Sequence, residues 1–179
     1  NDWTLAGQTA PGEGIVITHN KVNVGGSQNF IVRNIRFRVG QNDSSGEIIA
    51  ENALGAENCA NYIFDHCTFG WSVEENMNTA DSHFLTVQYS IVHEGLYDAG
   101  HSKGARGYGS QWGGSPATYH HNLLAHNKSR SPRFNGARGE DYVVFMEYIN
   151  NVNFNFGSNG GCYGGENTAA ITEYNGLNS

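Results

Sequence analysis

Short stretches of alternating apolar and polar residues recur along the chain. Residues 34–39 (NIRFRV) and 86–91 (TVQYSI) both follow a period of two, which is the period of a β-strand with one buried face. Other β-rich runs lie at 14–18, 62–69, 117–125 and 142–156, with a weaker one at 169–174, and turns rich in Gly, Asn and Ser separate them. No segment keeps a helical period of 3.6 residues between capping residues. The pattern predicts an all-β fold.

Four of these runs resemble one another. They are NFIVRNIRF (29–37), NYIFDHCTF (61–69), HFLTVQYSIV (83–92) and ATYHHNLLAH (117–126). Similar single-strand units at irregular spacing are typical of a solenoid whose coils carry insertions of different size. We therefore predict one parallel β-helix domain over residues 1–179, with its insertions gathered on one flank. A β-sandwich is the alternative, but it would need hairpin turns of the Asn-Gly type, and few are present.

The composition supports the strand pattern. The chain has 24 Gly and 22 Asn against 7 Leu and 3 Lys, which disfavours a bundle of helices. No apolar run approaches the roughly 20 residues that a membrane helix needs, so we expect no membrane partner. Cys59, Cys67 and Cys162 show no CxxC spacing, so a zinc ribbon is not supported. Cys59 and Cys67 are either a disulfide pair or two small core residues.

The charges are segregated along the chain. The formal net charge is -7, which argues against nucleic acid as a partner because a non-specific binder needs a basic surface. Residues 39–102 contain ten acids and no Lys or Arg, whereas residues 99–139 contain six cations and no acid. The two blocks are either solvated surfaces or the two halves of one site, with carboxylates for a hard cation and Arg and Lys for an anion. Charge alone leaves both interpretations open.

Carboxylate and amide side chains suggest a metal site in the acidic block. Glu74 and Asn78 are four residues apart, and Glu47 lies one repeat unit earlier, so that stacked coils would bring Glu47 near Glu74. Oxygen ligands of this kind suit Ca²⁺ better than Zn²⁺. The alternative is that all three are surface turn residues.

Two further features stand out in the cationic block. The pair His120-His121 looks like a metal-binding pair, but neighbouring residues on a strand point to opposite faces, so we expect one ring inside the stack and the other outside. In SRSPRF (129–134), Arg130 and Arg133 flank Pro132. Two guanidinium groups held close together are costly unless an anion lies between them, so this segment is either an anion site or a basic surface turn.

Seven segments, taken in order, resemble the pectate lyase family of polysaccharide lyases. They are LAGQTAPGEGIVI (5–17), NFIVRNIRFRVG (29–40), NYIFDHCTFGWSVEENMN (61–78), HFLTVQYSIVHEGL (83–96), HSKGARGYGSQWGG (101–114), YHHNLLAHNKSRSPRF (119–134) and NNVNFNFGSNGGCYGGE (150–166). The resemblance implies a right-handed parallel β-helix and an enzyme that cleaves α-1,4-linked polygalacturonate by β-elimination, with Ca²⁺ as its cofactor. The chain is short for this family, so we expect a piece of a larger β-helix that is truncated at both ends.

The resemblance also implies roles for individual residues. Arg130 matches the Arg of an Arg-x-Pro motif, which removes the C5 proton of the sugar. The implied substrate-binding residues are Lys103, Arg133 and His66, the last beside Asp65 in an Asp-His pair, and the implied calcium ligands are Glu47, Glu74 and Asn78. The chain departs from the family pattern at Asn78, often Asp, and at Asn135, where the longer motif ends in another Arg and Arg138 is the candidate replacement.

The implied base role sets an electrostatic requirement. An Arg keeps its proton up to a pKa above about 12, so burial and neighbouring cations must lower that pKa before Arg130 can accept a proton. Lys103, Arg133 and Arg106 are the predicted neighbours. An alkaline activity optimum follows, because the neutral fraction of Arg130 rises with pH.

These interpretations lead to a set of expected partners. We expect a secreted or periplasmic monomer that acts on an acidic plant cell-wall polysaccharide, without nucleic acid or membrane. A lyase on methyl-esterified pectin or another uronate polymer is an alternative within the same class. A glycoside hydrolase is a second alternative, although it would need a cluster of Asp residues that the cationic block lacks. A non-catalytic carbohydrate-binding β-helix is the third.

Overall fold

The computed structural model describes residues 2–135, 144–157 and 161–164. Its strands form three parallel sheets. Sheet A contains β1 (Trp3–Ala6), β4 (Gln28–Arg33), β7 (Ala60–Asp65), β10 (His83–Gln88), β13 (Ala117–His120) and β16 (Met146–Ile149). Sheet B contains β2 (Ile15–Thr18), β5 (Ile35–Arg38), β8 (Thr68–Gly70), β11 (Ile91–His93), β14 (Leu123–Ala125) and β17 (Val152–Phe154). Sheet C contains β3 (Val22–Asn23), β6 (Leu54–Gly55), β9 (Glu75–Asn78), β12 (Tyr108–Trp112) and β15 (Arg133–Phe134).

Each coil of the chain visits the three sheets in turn. Each strand from β1 to β14 pairs in parallel with the strand three positions later, so β4 lies beside β7 and β5 beside β8. This is a right-handed parallel β-helix, as the repeats and the family resemblance predict. A short 3-10 turn at Gly7–Thr9 is the helical element of the described residues, and none of their helices is long and apolar enough to span a membrane.

The core consists of like residues stacked on successive coils. Trp3, Phe30 and Tyr62 stack with ring centroids 4.7 and 4.8 Å apart, and Phe37 stacks on Phe69 at 5.3 Å. These distances follow from the spacing between neighbouring strands, about 4.8 Å, because in-register residues point the same way. The alternation seen in the sequence is therefore the alternation between this core and the outer surface.

The cysteines belong to this packing. Cys59 and Cys67 are buried separate thiols, and Cys162 is a third unpaired one. Burial raises the pKa of the Cys67 thiol to about 11, so it stays protonated at ordinary pH. Of the two interpretations of Cys59 and Cys67, the structure selects two small core residues.

The three corners of the coil differ in length. The connection from sheet A to sheet B is residues 7–14 in the first coil, whereas each later coil turns there on one left-handed residue, and these residues are Asn34, His66, Tyr89, His121 and Asn150. The connections from sheet C to sheet A are residues 24–27, 56–59, 79–82 and 113–116. The connections from sheet B to sheet C vary widely and are residues 19–21, 39–53, 71–74, 94–107 and 126–132. The insertions therefore gather beside sheet C, on one flank, as the solenoid hypothesis expects.

The prediction for the histidine pair was wrong. His120 is half-buried on the outer face of β13, and His121 is exposed at the corner that follows. Because His121 has a φ of 54°, its ring turns back toward the outer face, and the two Nδ1 atoms lie 2.8 Å apart. Strict alternation fails where the strand ends in a left-handed residue.

Candidate active site on sheet C

Two adjacent carboxylates lie where the 71–74 connection enters sheet C. Glu74 is partly buried, and Glu75, the first residue of β9, is only 4% exposed. Glu74 pairs with the Arg106 guanidinium and, at 2.8 Å, with His101 Nε2. Glu75 pairs with the Arg130 guanidinium. Each carboxylate is thus neutralised by a cation from a later coil, as buried charge requires.

An aromatic ring lies between the two arginines. The guanidinium carbons of Arg106 and Arg130 are 4.6 and 4.1 Å from the centroid of Tyr108, which begins β12. Both distances are within the range of an attractive cation–π contact. We call Glu74, Glu75, Arg106, Tyr108 and Arg130 the sheet C site.

The backbone fixes Arg130 at this site. Arg130 has a φ of 56°, and its carbonyl accepts a hydrogen bond of 2.6 Å from the Ser110 N–H. Its side chain donates to Gln111 Oε1 at 3.2 Å. A left-handed backbone is unusual for a residue of this size, and it directs the guanidinium over sheet C instead of along the strand.

The surroundings of Arg130 lower the pKa of its guanidinium. Burial is the largest cause, and the positive charge of Arg133 is the second. Tyr163 and Glu74 act in the opposite sense, and an ion pair such as the one with Glu75 also favours the charged form. The direction of the shift is the one that a proton-accepting Arg requires.

The strand register of sheet C brings Asn78, Arg130 and Arg133, three of the predicted site residues, close to Gln111. Asn78 of β9 lies opposite Gln111 of β12, which lies opposite Arg133 of β15. Gln111 also accepts the hydrogen bond from Arg130. Arg130, Arg133 and Asn78 are therefore brought together, although 55 residues separate Asn78 from Arg133.

Lys103 and Glu47 lie on loops beside the sheet C site. The Lys103 N–H donates to His101 Nδ1 at 2.9 Å, which attaches its loop to Glu74. The loop of Glu47 touches the same segment, since a Cβ on Gly100 would stand 2.5 Å from the Ile48 Cδ1 atom. Both side chains are exposed, and neither forms an ion pair within the described residues.

His66 lies in a different part of the molecule. It occupies the corner between sheets A and B, where its Nδ1 atom is 2.7 Å from Asp65 Oδ1 and its ring stacks on Tyr89 at 5.1 Å. This corner joins sheets A and B, and sheet C lies on the remaining side of the coil. The structure therefore does not bring His66 to the other predicted site residues. Arg138 lies outside the described residues.

The three predicted calcium ligands do not form an oxygen shell in this arrangement. One carboxylate oxygen of Glu74 faces the Arg106 guanidinium, and the other lies 2.8 Å from His101 Nε2. Asn78 donates to Glu57 Oε1 at 2.5 Å, and its own oxygen accepts the Ala80 N–H at 3.0 Å. Within the described residues no group of three or more His, Cys, Asp or Glu side chains could hold a metal ion.

Glu75, Tyr108 and His101 had no predicted role. Their partners come from other coils, and the contact between Glu74 and Arg106 spans 32 residues. The signal that was present is the change from an acid-only to a cation-only block, and the sheet C site lies where these two blocks meet in space. Two acids of one block therefore pair with two arginines of the other, while the assignment of the blocks to a hard cation and an anion stays a prediction.

The chain was compared with known proteins. No family model matches it. It is 36% identical over 164 residues to the probable pectate lyase C of Aspergillus fumigatus strain CBS 144.89, which covers 91% of this chain and 35% of that protein. It is 34% identical over 168 residues to the probable pectate lyase C of Emericella nidulans (92% and 35%), and 31% identical over 166 residues to that of Aspergillus terreus (92% and 35%). The chain spans about a third of the length of these curated relatives.

Proposed function

Because the chain belongs to the pectate lyase family over the part of these relatives that it spans, we propose that the protein cleaves α-1,4-linked polygalacturonate by β-elimination, with Arg130 as the base. The observation that carries the proposal is the environment of Arg130. Its guanidinium is largely enclosed, lies beside Arg133 and has a lowered pKa.

The chemistry requires only a base and a means of neutralising charge. Arg130 takes the C5 proton, which lies α to the sugar carboxylate. The electron pair left on C5 forms the C4–C5 double bond, the C4–O glycosidic bond breaks, and the leaving oxygen gains a proton. Removal of the C5 proton builds negative charge on the carboxylate, and cations such as Arg133 stabilise that charge.

The proposal has a direct test. Polygalacturonate incubated with the purified protein at alkaline pH should give an unsaturated product that absorbs in the ultraviolet. Arg130→Ala should lower kcat by about a thousandfold or more without a change in the circular dichroism spectrum. Arg36→Ala, which removes an arginine from sheet B, is the matched control and should keep full activity. Retained turnover in Arg130→Ala would remove Arg130 from the base role, and new chain ends without the unsaturated product would indicate a hydrolase.

Arg133, the neighbour of the proposed base, should affect the pH dependence of the reaction. The charge of Arg133 lowers the pKa of Arg130, so Arg133→Gln should raise that pKa and move the alkaline limb of the kcat profile to higher pH. The measurement is kcat against pH at saturating polymer, which separates this effect from weaker substrate binding. An unchanged profile would limit Arg133 to substrate binding.

Calcium remains a prediction from the family resemblance. Glu47, Glu74 and Asn78 are its proposed ligands, and Glu74 would first have to exchange Arg106 and His101 for the metal. Removing divalent cations with a chelator and restoring calcium alone, with the product absorbance as the readout, tests the requirement. Activity that survives the chelator would show that the chain's own cations are sufficient.

One observation favours a second candidate substrate, methyl-esterified pectin. The acids at the sheet C site already have internal cation partners, and a less acidic polymer needs less external charge to neutralise it. The same absorbance assay with polymers of increasing methylation distinguishes the two substrates. A rate that rises with methylation, without calcium, would favour pectin over pectate.

A further inference from the structure

A second cationic and aromatic pair lies beside the sheet C site. The Lys128 Nζ atom is 4.9 Å from the ring centroid of Tyr97. Tyr97 is 51% exposed, on the 94–107 connection, and Lys128 is half-buried on the 126–132 connection. Neither residue contributes to the base chemistry described above.

The position of this pair is set by the backbone. The Lys128 N–H donates to the Gly107 carbonyl at 2.8 Å, and the Arg106 N–H donates to the Tyr97 carbonyl at 2.7 Å. A Cβ on Gly107 would lie 3.0 Å from Lys128 Cβ and 3.1 Å from Tyr97 Cα, so glycine permits this close approach. On the other side, a Cβ on Gly157 would stand 3.0 Å from Lys128 Cδ. The aliphatic part of the lysine side chain is therefore packed between two glycines. A ligand that binds Lys128 then costs little additional conformational entropy.

The electrostatics of this pair differ from those of the two arginines. Arg106 and Arg130 each have a glutamate partner. Lys128 forms no ion pair with a carboxylate in residues 2–135, 144–157 and 161–164, and this includes Asp98, the neighbour of Tyr97. The ammonium therefore keeps hydrogen-bond donors for an anionic ligand while it rests on an aromatic ring.

The pair is close enough to the sheet C site to serve the same polymer. Lys128 precedes Arg130 by two residues, and Gly107 directly precedes Tyr108. The contact of Lys128 with Gly107 and the contact of Arg130 with Tyr108 therefore join the same two chain segments. Two residues of chain span at most about 7 Å, which places the next sugar of a bound polymer within reach of Lys128.

We propose that Tyr97 and Lys128 form a uronate-binding subsite next to the sheet C site. The exposed part of the Tyr97 ring packs against the C–H face of one sugar, and the Lys128 ammonium binds the carboxylate of that sugar. The inference rests on the proposed function for the identity of the polymer, but it concerns binding and not cleavage.

Binding to a short oligogalacturonate, measured by titration calorimetry, tests the subsite. All variants carry Arg130→Ala, so that the ligand is not cleaved. Tyr97→Ala should weaken binding about fivefold and Lys128→Gln about tenfold, whereas Tyr97→Phe should bind normally because it keeps the ring. The controls are Phe84→Ala, which removes an exposed aromatic from sheet A, and Lys21→Gln, whose lysine already pairs with Glu51 at 2.8 Å.

A neutral ligand separates the two contacts. With the fully methyl-esterified oligomer, Lys128→Gln should lose its effect, while Tyr97→Ala should keep most of its own. In an enzyme with Arg130 intact, both changes should raise KM for pectate and leave kcat unchanged. A Lys128→Gln effect of equal size on both oligomers would overturn the assignment of the carboxylate to Lys128.

The outcomes also distinguish this inference from the proposed function. Lyase activity with unchanged binding in Tyr97→Ala and Lys128→Gln would overturn the subsite and leave the function standing. Weaker oligogalacturonate binding in both variants, from a protein that gives no unsaturated product, would support the subsite and overturn the lyase.

Discussion

The corner between sheets A and B turns on one left-handed residue in every coil after the first, whereas the connections from sheet B to sheet C range from residues 19–21 to residues 39–53. Both regions carry polar side chains. At the A–B corner these side chains repeat and satisfy one another, and beside sheet C they are unlike one another and form ion pairs between coils.

The A–B corner shows how equal spacing produces an internal ladder. Asn122 donates to the Val87 carbonyl and accepts the Ser90 N–H, both at 2.9 Å. One coil later Asn151 repeats the donation, to the Tyr119 carbonyl at 2.8 Å. Because successive coils present the same backbone groups at the same place, Asn satisfies them in these two coils, and Ser90 and Cys67 hold the equivalent position in the two coils before.

The sheet C side shows the consequence of unequal spacing. The 94–107 connection is long enough for His101 and Arg106 to return over Glu74, and the shorter 126–132 connection places Arg130 over Glu75. Loops of different length bring unlike charges together, and reactive sites on repetitive scaffolds are built in this way. Equal spacing thus gives repeated hydrogen bonds at the A–B corner, and unequal spacing gives ion pairs between coils beside sheet C.

The largest expected difference between the two regions is catalytic. Arg130→Lys should lower kcat by about a hundredfold or more, because a lysine cannot reproduce the planar contacts with Gln111 and Tyr108. His66→Ala, at the A–B corner, should leave KM and kcat unchanged. Steady-state kinetics on polygalacturonate check both variants. A raised KM in His66→Ala would instead support the substrate-binding role that the family resemblance implies.

The next expected effect is on stability and belongs to the A–B corner. Asn122→Ala should lower the free energy of unfolding by about 3 kcal/mol, because it leaves the buried Val87 carbonyl and Ser90 N–H without partners. The exposed Asn150 at the same corner is the matched control, and Asn150→Ala should cost much less. Urea denaturation followed by circular dichroism measures both. Equal losses would show that the internal ladder contributes nothing beyond the turn itself.

A smaller effect is expected where Arg106 neutralises Glu74. Arg106→Gln removes the positive charge from this carboxylate, so calcium should bind about tenfold more tightly than in the unaltered protein. Titration calorimetry with calcium alone measures the change without reference to turnover. Arg33→Gln, which removes an arginine paired with Asp65 at 3.2 Å on sheet A, is the control. Unchanged calcium binding in Arg106→Gln would show that Glu74 is not a ligand.

The smallest effect concerns Asp65 and acid. Burial raises the pKa of this carboxyl, but hydrogen bonds from Gln88 and His66 and the charge of Arg33 outweigh it, so the pKa lies below its ordinary value of 3.8. A lowered pKa contributes stability that is present above that ordinary value and is lost as the pH falls through the folded-state pKa. Asp65→Asn should therefore flatten the fall in melting temperature below about pH 4. An unchanged acid profile would contradict this assignment.

The fold was accessible from the sequence because its signals are local. The alternation in residues 34–39 and the likeness of residues 29–37 to 61–69 report which side chains face the core, and each coil repeats the same requirement. The prediction failed at His120 and His121 because one left-handed residue changes the direction of a side chain, and a strand pattern does not record φ.

The site was accessible only in part. Arg130, Arg133 and Asn78 were predicted site residues and lie on neighbouring strands or connections beside sheet C. Glu75 and Tyr108 were not predicted, since their contacts are between coils. Glu74 shows the same limit. Its contacts with Arg106 and His101 depend on the length of the 94–107 loop, which spacing along the chain does not reveal.

The sequence by itself determined the strand period, the stacking of coils and the segregation of acids from cations, because each is a property of neighbouring or repeated residues. Only the tertiary structure decided which acid meets which cation. Loop length and left-handed backbone positions set those contacts. A carboxylate that lies against a guanidinium is less available to other cations than one exposed to water.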